Sequence, residues 1–299
     1  MRRSLNNLGG RLLVALLWLL HWLPLAVLAR IGQGLGLVLY FLARRRKRIV
    51  ATNLALCFPQ WSEVERRRLA RRHFMGLGRS LLERGLLWWA PRGRLERLIR
   101  LKGAEGVRAL LAAGRPVILM APHFLGLDMG GARVTMAFDI VSIYARQRNR
   151  VVDRWLYRGR SRFGDQLLVP RSESPRPTVK AMKAGRPFYY LPDMDQRGKN
   201  SVFAPFFGVP AATITGLSRF ARMADAVVLP CVTRMLPGGQ GYQVEIGEPW
   251  ADFPTEDVEA DVARMNREIE SLVLTMPEQY YWVHRRFKTR PKGEPKRYR

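Results

Sequence analysis

The chain predicts an α/β fold: a largely parallel central sheet flanked by helices, preceded by an N-terminal membrane helix. Three observations carry this expectation. From about Gly103 onward, strand-like apolar runs alternate with helix-like stretches, and such alternation packs helices on a mostly parallel sheet. The run Pro116-Val-Ile-Leu-Met-Ala-Pro122 is apolar throughout and is followed by a helix-like stretch, which reads as a parallel strand emerging at the edge where open α/β folds bind ligands. Ahead of both, residues 12–29 form 18 positions without a formal charge and with two tryptophans, just long enough to cross a bilayer. At 299 residues the chain can bury one substantial core, so the expected organisation is an anchor with its basic flank over 1–48 and one α/β domain over 49–299.

The elements follow in order. His21 and Pro24 interrupt the first apolar segment, so a tilted, kinked or in-plane helix is an alternative to a straight span. A cleaved secretory signal fits less well, because the apolar core is long and no polar mature start follows it. The second apolar stretch, 31–43, carries Gly32, Gly34 and Gly36 and is expected to be interfacial or packed on the domain. Arg2, Arg3 and Arg11 precede the first segment, whereas Arg30 and the cluster at 44–48 follow it. The larger positive cluster places the domain on the cytoplasmic side. Residues 51–89 read as two mostly helical segments with arginines on one side and Leu, Phe and Trp on the other, punctuated by Pro59 and Pro91. Strands are expected at 117–121, 140–144, 167–169, 188–191, 226–232 and 242–246, with helices at 105–113, 127–137, 151–162, 178–184, 215–223 and 258–275.

Charge narrows the partners. There are 51 Lys and Arg against 24 Asp and Glu, a formal +27, extreme for a soluble enzyme and indicative of an anionic partner or surface. Nucleic acid, anionic lipid and an acidic carrier protein all have the required sign. No zinc-finger spacing, RNP-like motif or heptad-backed basic region accompanies the arginines, so nucleic-acid binding rests on charge alone. Cys57 and Cys231 are far apart and in no ligand pattern, suggesting neither a disulfide framework nor a zinc site.

The chemistry centres on His123-Phe-Leu-Gly-Leu-Asp128, placed directly after the first strand. An imidazole can take a proton from a hydroxyl, and a carboxylate on its other nitrogen fixes the tautomer and stabilises the imidazolium. Side chains five apart on one helix point about 140° from each other, so the two can meet only if His123 precedes the helix. Alternatively, the histidine caps the helix or satisfies a loop carbonyl. No Ser or Cys nucleophile stands beside it, which favours direct attack by a substrate hydroxyl. Arg146, Arg148 and Arg150 follow a strand and suit phosphate or carboxylate groups, or else form a solvated basic face. Asp193 and Asp195 lie on a loop, where they can orient an acceptor hydroxyl, pair with an arginine, or shape a turn. The segment 201–210, with Phe203 and Phe206, is apolar enough to wall an acyl-chain pocket or to pack in the core.

Taken together, these blocks resemble the bacterial lipid A biosynthesis acyltransferases, the late acyltransferase family within the glycerolipid acyltransferase superfamily. The resemblance rests on the membrane segment, Asn53-Leu-Ala-Leu-Cys-Phe-Pro59, His123-x4-Asp128, Pro192-Asp-Met-Asp195, Val202-Phe-Ala-Pro-Phe-Phe-Gly208 and Pro277-Glu-Gln-Tyr-Tyr-Trp-Val-His-Arg-Arg-Phe-Lys-Thr-Arg-Pro291. It implies transfer of an acyl chain from acyl carrier protein to a hydroxyl of a phosphorylated glucosamine disaccharide lipid at the cytoplasmic face of the inner membrane. His123 is then the general base and Asp128 its partner, with no metal or other cofactor. Many members carry glutamate where Asp128 stands. A basic residue commonly follows the tyrosine of the Tyr144 block, but here that place is Ala145, leaving Arg146 and Arg171 as candidates for the role. A lysophospholipid or mannosylated inositol lipid as acceptor, and a non-catalytic protein binding anionic lipid or nucleic acid, are the rival readings.

Overall fold

The computed structural model describes residues 2–298 except 148, 196, 197 and 199, with the backbone alone for residues 2–7. The described strands are β1 (Ile99–Lys102), β2 (Val117–Met120), β3 (Val141–Tyr144), β4 (Leu167–Pro170), β5 (Phe188–Tyr190), β6 (Ser201–Phe206), β7 (Val209–Ile214), β8 (Val227–Met235) and β9 (Tyr242–Ile246). Seven of them form one sheet in the order β1-β9-β8-β2-β5-β3-β4. Its pairings are parallel except β8 with β9, so the mostly parallel sheet expected from the alternation is present.

All six anticipated strands form, and three more join them. β1 reads Ile-Arg-Leu-Lys, with Ile99 buried and the two cationic positions exposed, and its charges hide it from a search for apolar runs. The segment 201–210 is not a loop: β6 and β7 pair as an antiparallel hairpin. Phe207 and Gly208 at its tip have φ of 51° and 74°, the left-handed pair that closes a two-residue hairpin turn.

Helices cover both faces. Along β2, Val117 and Leu119 pack into one core and Ile118 and Met120 into the other, as the two-residue period of a strand requires. One face is covered by α5 (Arg84–Trp89), α6 (Arg92–Leu98), α7 (Ala104–Ala112), α8 (Leu127–Thr135) and α9 (Arg150–Arg160); the other by α10 (Arg176–Lys183), α11 (Gly216–Ala224), α12 (Val258–Thr275) and the hairpin.

The N-terminal region corrects one expectation. Residues 12–29 are not one helix: α1 (Arg2–Leu20) ends, the chain turns over 21–23, and Pro24 caps α2 (Leu25–Leu42). Proline lacks the N–H a continuous helix would need there but is well suited to a helix start. Among the described residues, the helix long and apolar enough to cross a membrane, by length and composition, is therefore α2, which includes most of the stretch expected to be interfacial. After α3 (Arg44–Cys57) comes α4 (Glu63–Leu82), opened by a capping box in which Ser62 and Glu65 each accept the other's backbone N–H. α2 packs along α4 at backbone contact. A Cβ on Gly36 would lie 2.1 Å from the Phe74 carbonyl, and one on Gly78 would lie 2.1 Å from that of Gly32, so only glycine permits this crossing.

Candidate active site

β2 and β5 are neighbours with Met120 opposite Tyr190. Each leads, three residues on and through a proline, to a polar side chain: His123 after β2 and Asp193 after β5. The equal offset brings the two together. His123 Nδ1 lies 2.6 Å from Asp193 Oδ1, and the His123 backbone N–H donates to Asp193 Oδ2 at 3.0 Å. The carboxylate is buried. Burial pushes its pKa up, but the adjacent imidazole and its hydrogen bonds outweigh this and bring it down to about 2. With Asp193 held on Nδ1, Nε2 is the nitrogen left to face a substrate.

Asp128 has a different place from the one its spacing suggested. Its two oxygens accept from Arg84 at 2.8 Å and Arg160 at 3.0 Å, and the two guanidinium groups hold its pKa low against the burial that would raise it. The reason is local: Asp128 lies in the first turn of α8, aimed at the cations of α5 and α9 rather than back at the loop. The His–carboxylate pair is therefore His123–Asp193, and Asp128 gathers two arginines beside it.

The remaining predicted residues divide. Asp195 accepts from the Thr289 backbone N–H and hydroxyl, both at 2.8 Å, while its own N–H donates to His284 Nε2 at 3.0 Å, so it ties a loop rather than facing a substrate. Arg146 and Arg171 line an open hollow beyond the ends of β3 and β4, with Tyr144 and Glu173. Arg148 lies outside the described residues. Phe206 is fully buried against Phe207, Tyr280 and Phe287, and Phe203 is 43% exposed on the hairpin. Alternation along β6 sends one phenyl ring into the core and the other outward, and neither lines the apolar cavity that the structure holds.

An apolar cavity does exist, on the opposite face of the sheet. It runs between α8, α9 and the strands β5, β3 and β4. At the carboxyl edge it is lined by Leu127, Asp128, Ile143, Arg160 and Leu191, which flank the loops of His123 and Asp193; at its far end stand Thr135, Ile140 and Gln166.

The C-terminal stretch has a bracing role that its residues did not announce. The Tyr281 N–H donates to the His123 carbonyl at 2.9 Å, and the Leu125 N–H donates to the Gln279 carbonyl at 2.8 Å. The Asn53 amide donates to the carbonyls of Trp282 and His284 at 2.7 and 2.8 Å. Buried Arg286 donates to the Ala212 carbonyl and to the Thr213 hydroxyl. Asn53, His123, Asp193, Tyr280, Tyr281, His284 and Arg286 thus surround one small cleft. Four separate sequence blocks are parts of one cradle; in the sequence they were joined by the family resemblance they share.

A half-buried histidine on a buried carboxylate stands at the carboxyl edge of a parallel sheet, an arrangement chemically able to take a proton from a hydroxyl, and an apolar cavity lined by Asp128, Arg84 and Arg160 opens at the same edge. Comparison with known proteins identifies the class. Residues 2–289 match the family model "Bacterial lipid A biosynthesis acyltransferase", and the chain belongs to that family of enzymes. It is 39% identical to the lipid A biosynthesis lauroyltransferase of Escherichia coli K12 across 95% of this chain and 93% of that one. Identity is 33% to the palmitoleoyltransferase of the same organism, covering 95% and 92%, and 32% to a lipid A biosynthesis acyltransferase of Haemophilus influenzae, covering 93% and 87%.

Proposed function

We propose that this enzyme transfers a fatty acyl chain from an acyl carrier protein thioester to a hydroxyl of a Kdo-bearing lipid A precursor, at the cytoplasmic face of the bacterial inner membrane. The observation that carries the mechanism is the 2.6 Å contact of His123 Nδ1 with Asp193. It leaves Nε2 to take the proton of the acceptor hydroxyl as that oxygen attacks the thioester carbonyl. Arg160 or Arg84, gathered by Asp128, stabilises the oxyanion. Collapse breaks the C–S bond, and the imidazolium returns its proton to the departing thiolate. The scheme calls on no metal or further cofactor. The hydrocarbon tail occupies the cavity along α8, and the hollow at Arg146 and Arg171 receives a phosphate of the acceptor.

Membrane placement is supported by α1, α2 and the turn between them, which expose Leu12, Leu16, Trp18, Trp22, Phe41 and Leu42. The basic cluster at 44–48 follows directly and suits an anionic headgroup layer. The net charge of +27 also matches an acidic carrier and a phosphorylated acceptor.

The test is acyl transfer by purified protein from carrier-protein thioesters of several lengths to a tetraacylated, Kdo-bearing precursor, with His123→Ala alongside. Product is expected from the wild type and a loss of ~10²-fold or more in the variant. Product from a lysophospholipid or a mannosylated inositol lipid instead would change the acceptor, and full turnover by His123→Ala would remove the mechanism.

A further inference from the structure

We propose that Gln166 is the stop that sets how long an acyl chain the enzyme accepts, with Gly131 holding the channel open midway. This inference rests on the acyl-transfer reading and concerns the depth of the cavity along α8. That cavity starts at Leu127 and Asp128, in the first turn of α8, and ends at Thr135, the last residue of the same helix. A rise of about 1.5 Å per residue makes this about 12 Å, room for a medium-length chain rather than a long one.

What closes the end is polar and fixed. The Gln166 amide nitrogen donates to the Phe163 carbonyl at 2.7 Å and to those of Thr135 and Phe138 at 3.3 Å, while its oxygen accepts from the Ile140 N–H at 2.9 Å. A side-chain amide with both ends engaged has no reason to swing aside for a methyl group. The turn beneath is built around it: a Cβ on Gly164, whose φ is +65°, would come within 2.7 Å of the Gln166 amide nitrogen. A hydrocarbon terminus pushed further would have to break these bonds and leave buried backbone groups unpaired. Halfway along, Gly131 of α8 faces Tyr189 of β5; a Cβ there would sit 3.7 Å from the tyrosine ring. That is ordinary contact, so alanine fits the fold but takes width from the channel.

The two positions give changes of opposite sign. Wild type, Gln166→Ala and Gly131→Ala are each purified in detergent, checked for folding by circular dichroism, and supplied with a mixture of carrier-protein thioesters differing by two carbons, with the products weighed by mass spectrometry. Gln166→Ala should raise the yield of chains two or more carbons longer relative to the wild-type optimum by on the order of 10-fold. Gly131→Ala should move the optimum to shorter chains. A merely structural role for either residue would lower every chain alike, so folded variants with the wild-type length profile would overturn the proposal while leaving the acyl-transfer reading intact. Absence of transfer by the wild type with every thioester would instead overturn both.

Discussion

Asp193 and Asp128 illustrate how two similar carboxylates acquire different work from their neighbours. Asp193 lies on the imidazole and Asp128 on two guanidinium groups, so their substitutions should fail differently. Asp193→Asn removes the charge that stabilises the imidazolium and should lower kcat by ~10²-fold or more. Asp128→Asn leaves the His123–Asp193 pair in place but releases Arg84 and Arg160, so loss of oxyanion stabilisation should dominate, with the pH profile of kcat/KM keeping its wild-type shape. Steady-state kinetics over pH separates the two. A stability effect follows from the same buried group. Asp193 is held at about 2, below its ordinary 3.8, so the stability it contributes is complete above about pH 4 and is lost as pH falls through about 2. That contribution is on the order of 2 kcal/mol. Denaturant unfolding in detergent from pH 5 to pH 2 should show a shallower decline for Asp193→Asn than for wild type.

Among the elements, the crossing of α2 over α4 is the least forgiving. Gly36→Ala would place a methyl group where the Phe74 carbonyl stands, forcing the helices apart and costing roughly 1–3 kcal/mol, read as a lower denaturation midpoint. Asn53→Ala should cost about as much, because two carbonyls of the C-terminal stretch lose their donor; it should also lower turnover, since that stretch braces the His123 loop. How far these elements could be read in advance depended on what each needs from its sequence. The buried strands β2, β5 and β8 are apolar runs and were legible as such. The hairpin was not, because its turn is closed by Phe207 and Gly208 rather than by a familiar Asn-Gly pair; at the N-terminus the interruption at Pro24 was legible, but not that it separates two helices. At the site, His123 was legible from its place after a strand. Its partner was not, since the choice between Asp128 and Asp193 depends on β2 lying beside β5, a long-range pairing that local spacing does not encode. With that pairing known, the matching Pro122-His123 and Pro192-Asp193 offsets become evident.

For the whole molecule, the excess of 27 positive charges should make association with anionic vesicles salt-dependent, whereas the apolar faces of α1 and α2 should not respond in that way. Flotation with phosphatidylglycerol vesicles should weaken as salt rises from about 0.05 to 0.5 M, a range over which the Debye length contracts several-fold. Retained association at high salt would measure the apolar share. Binding to uncharged phosphatidylcholine vesicles should change little over the same range.

The C-terminal brace has a consequence in time. Residues 279–289 follow every strand of the sheet in chain order, yet they hold the His123 loop, the Asp195 loop and Asn53 together. During synthesis, the N-terminal helices and the whole sheet leave the ribosome before this stretch does. A chain halted short of Gln279 would carry its histidine and aspartate without the clasp that sets them, so catalytic competence arrives after the architecture and prematurely terminated copies would be inert.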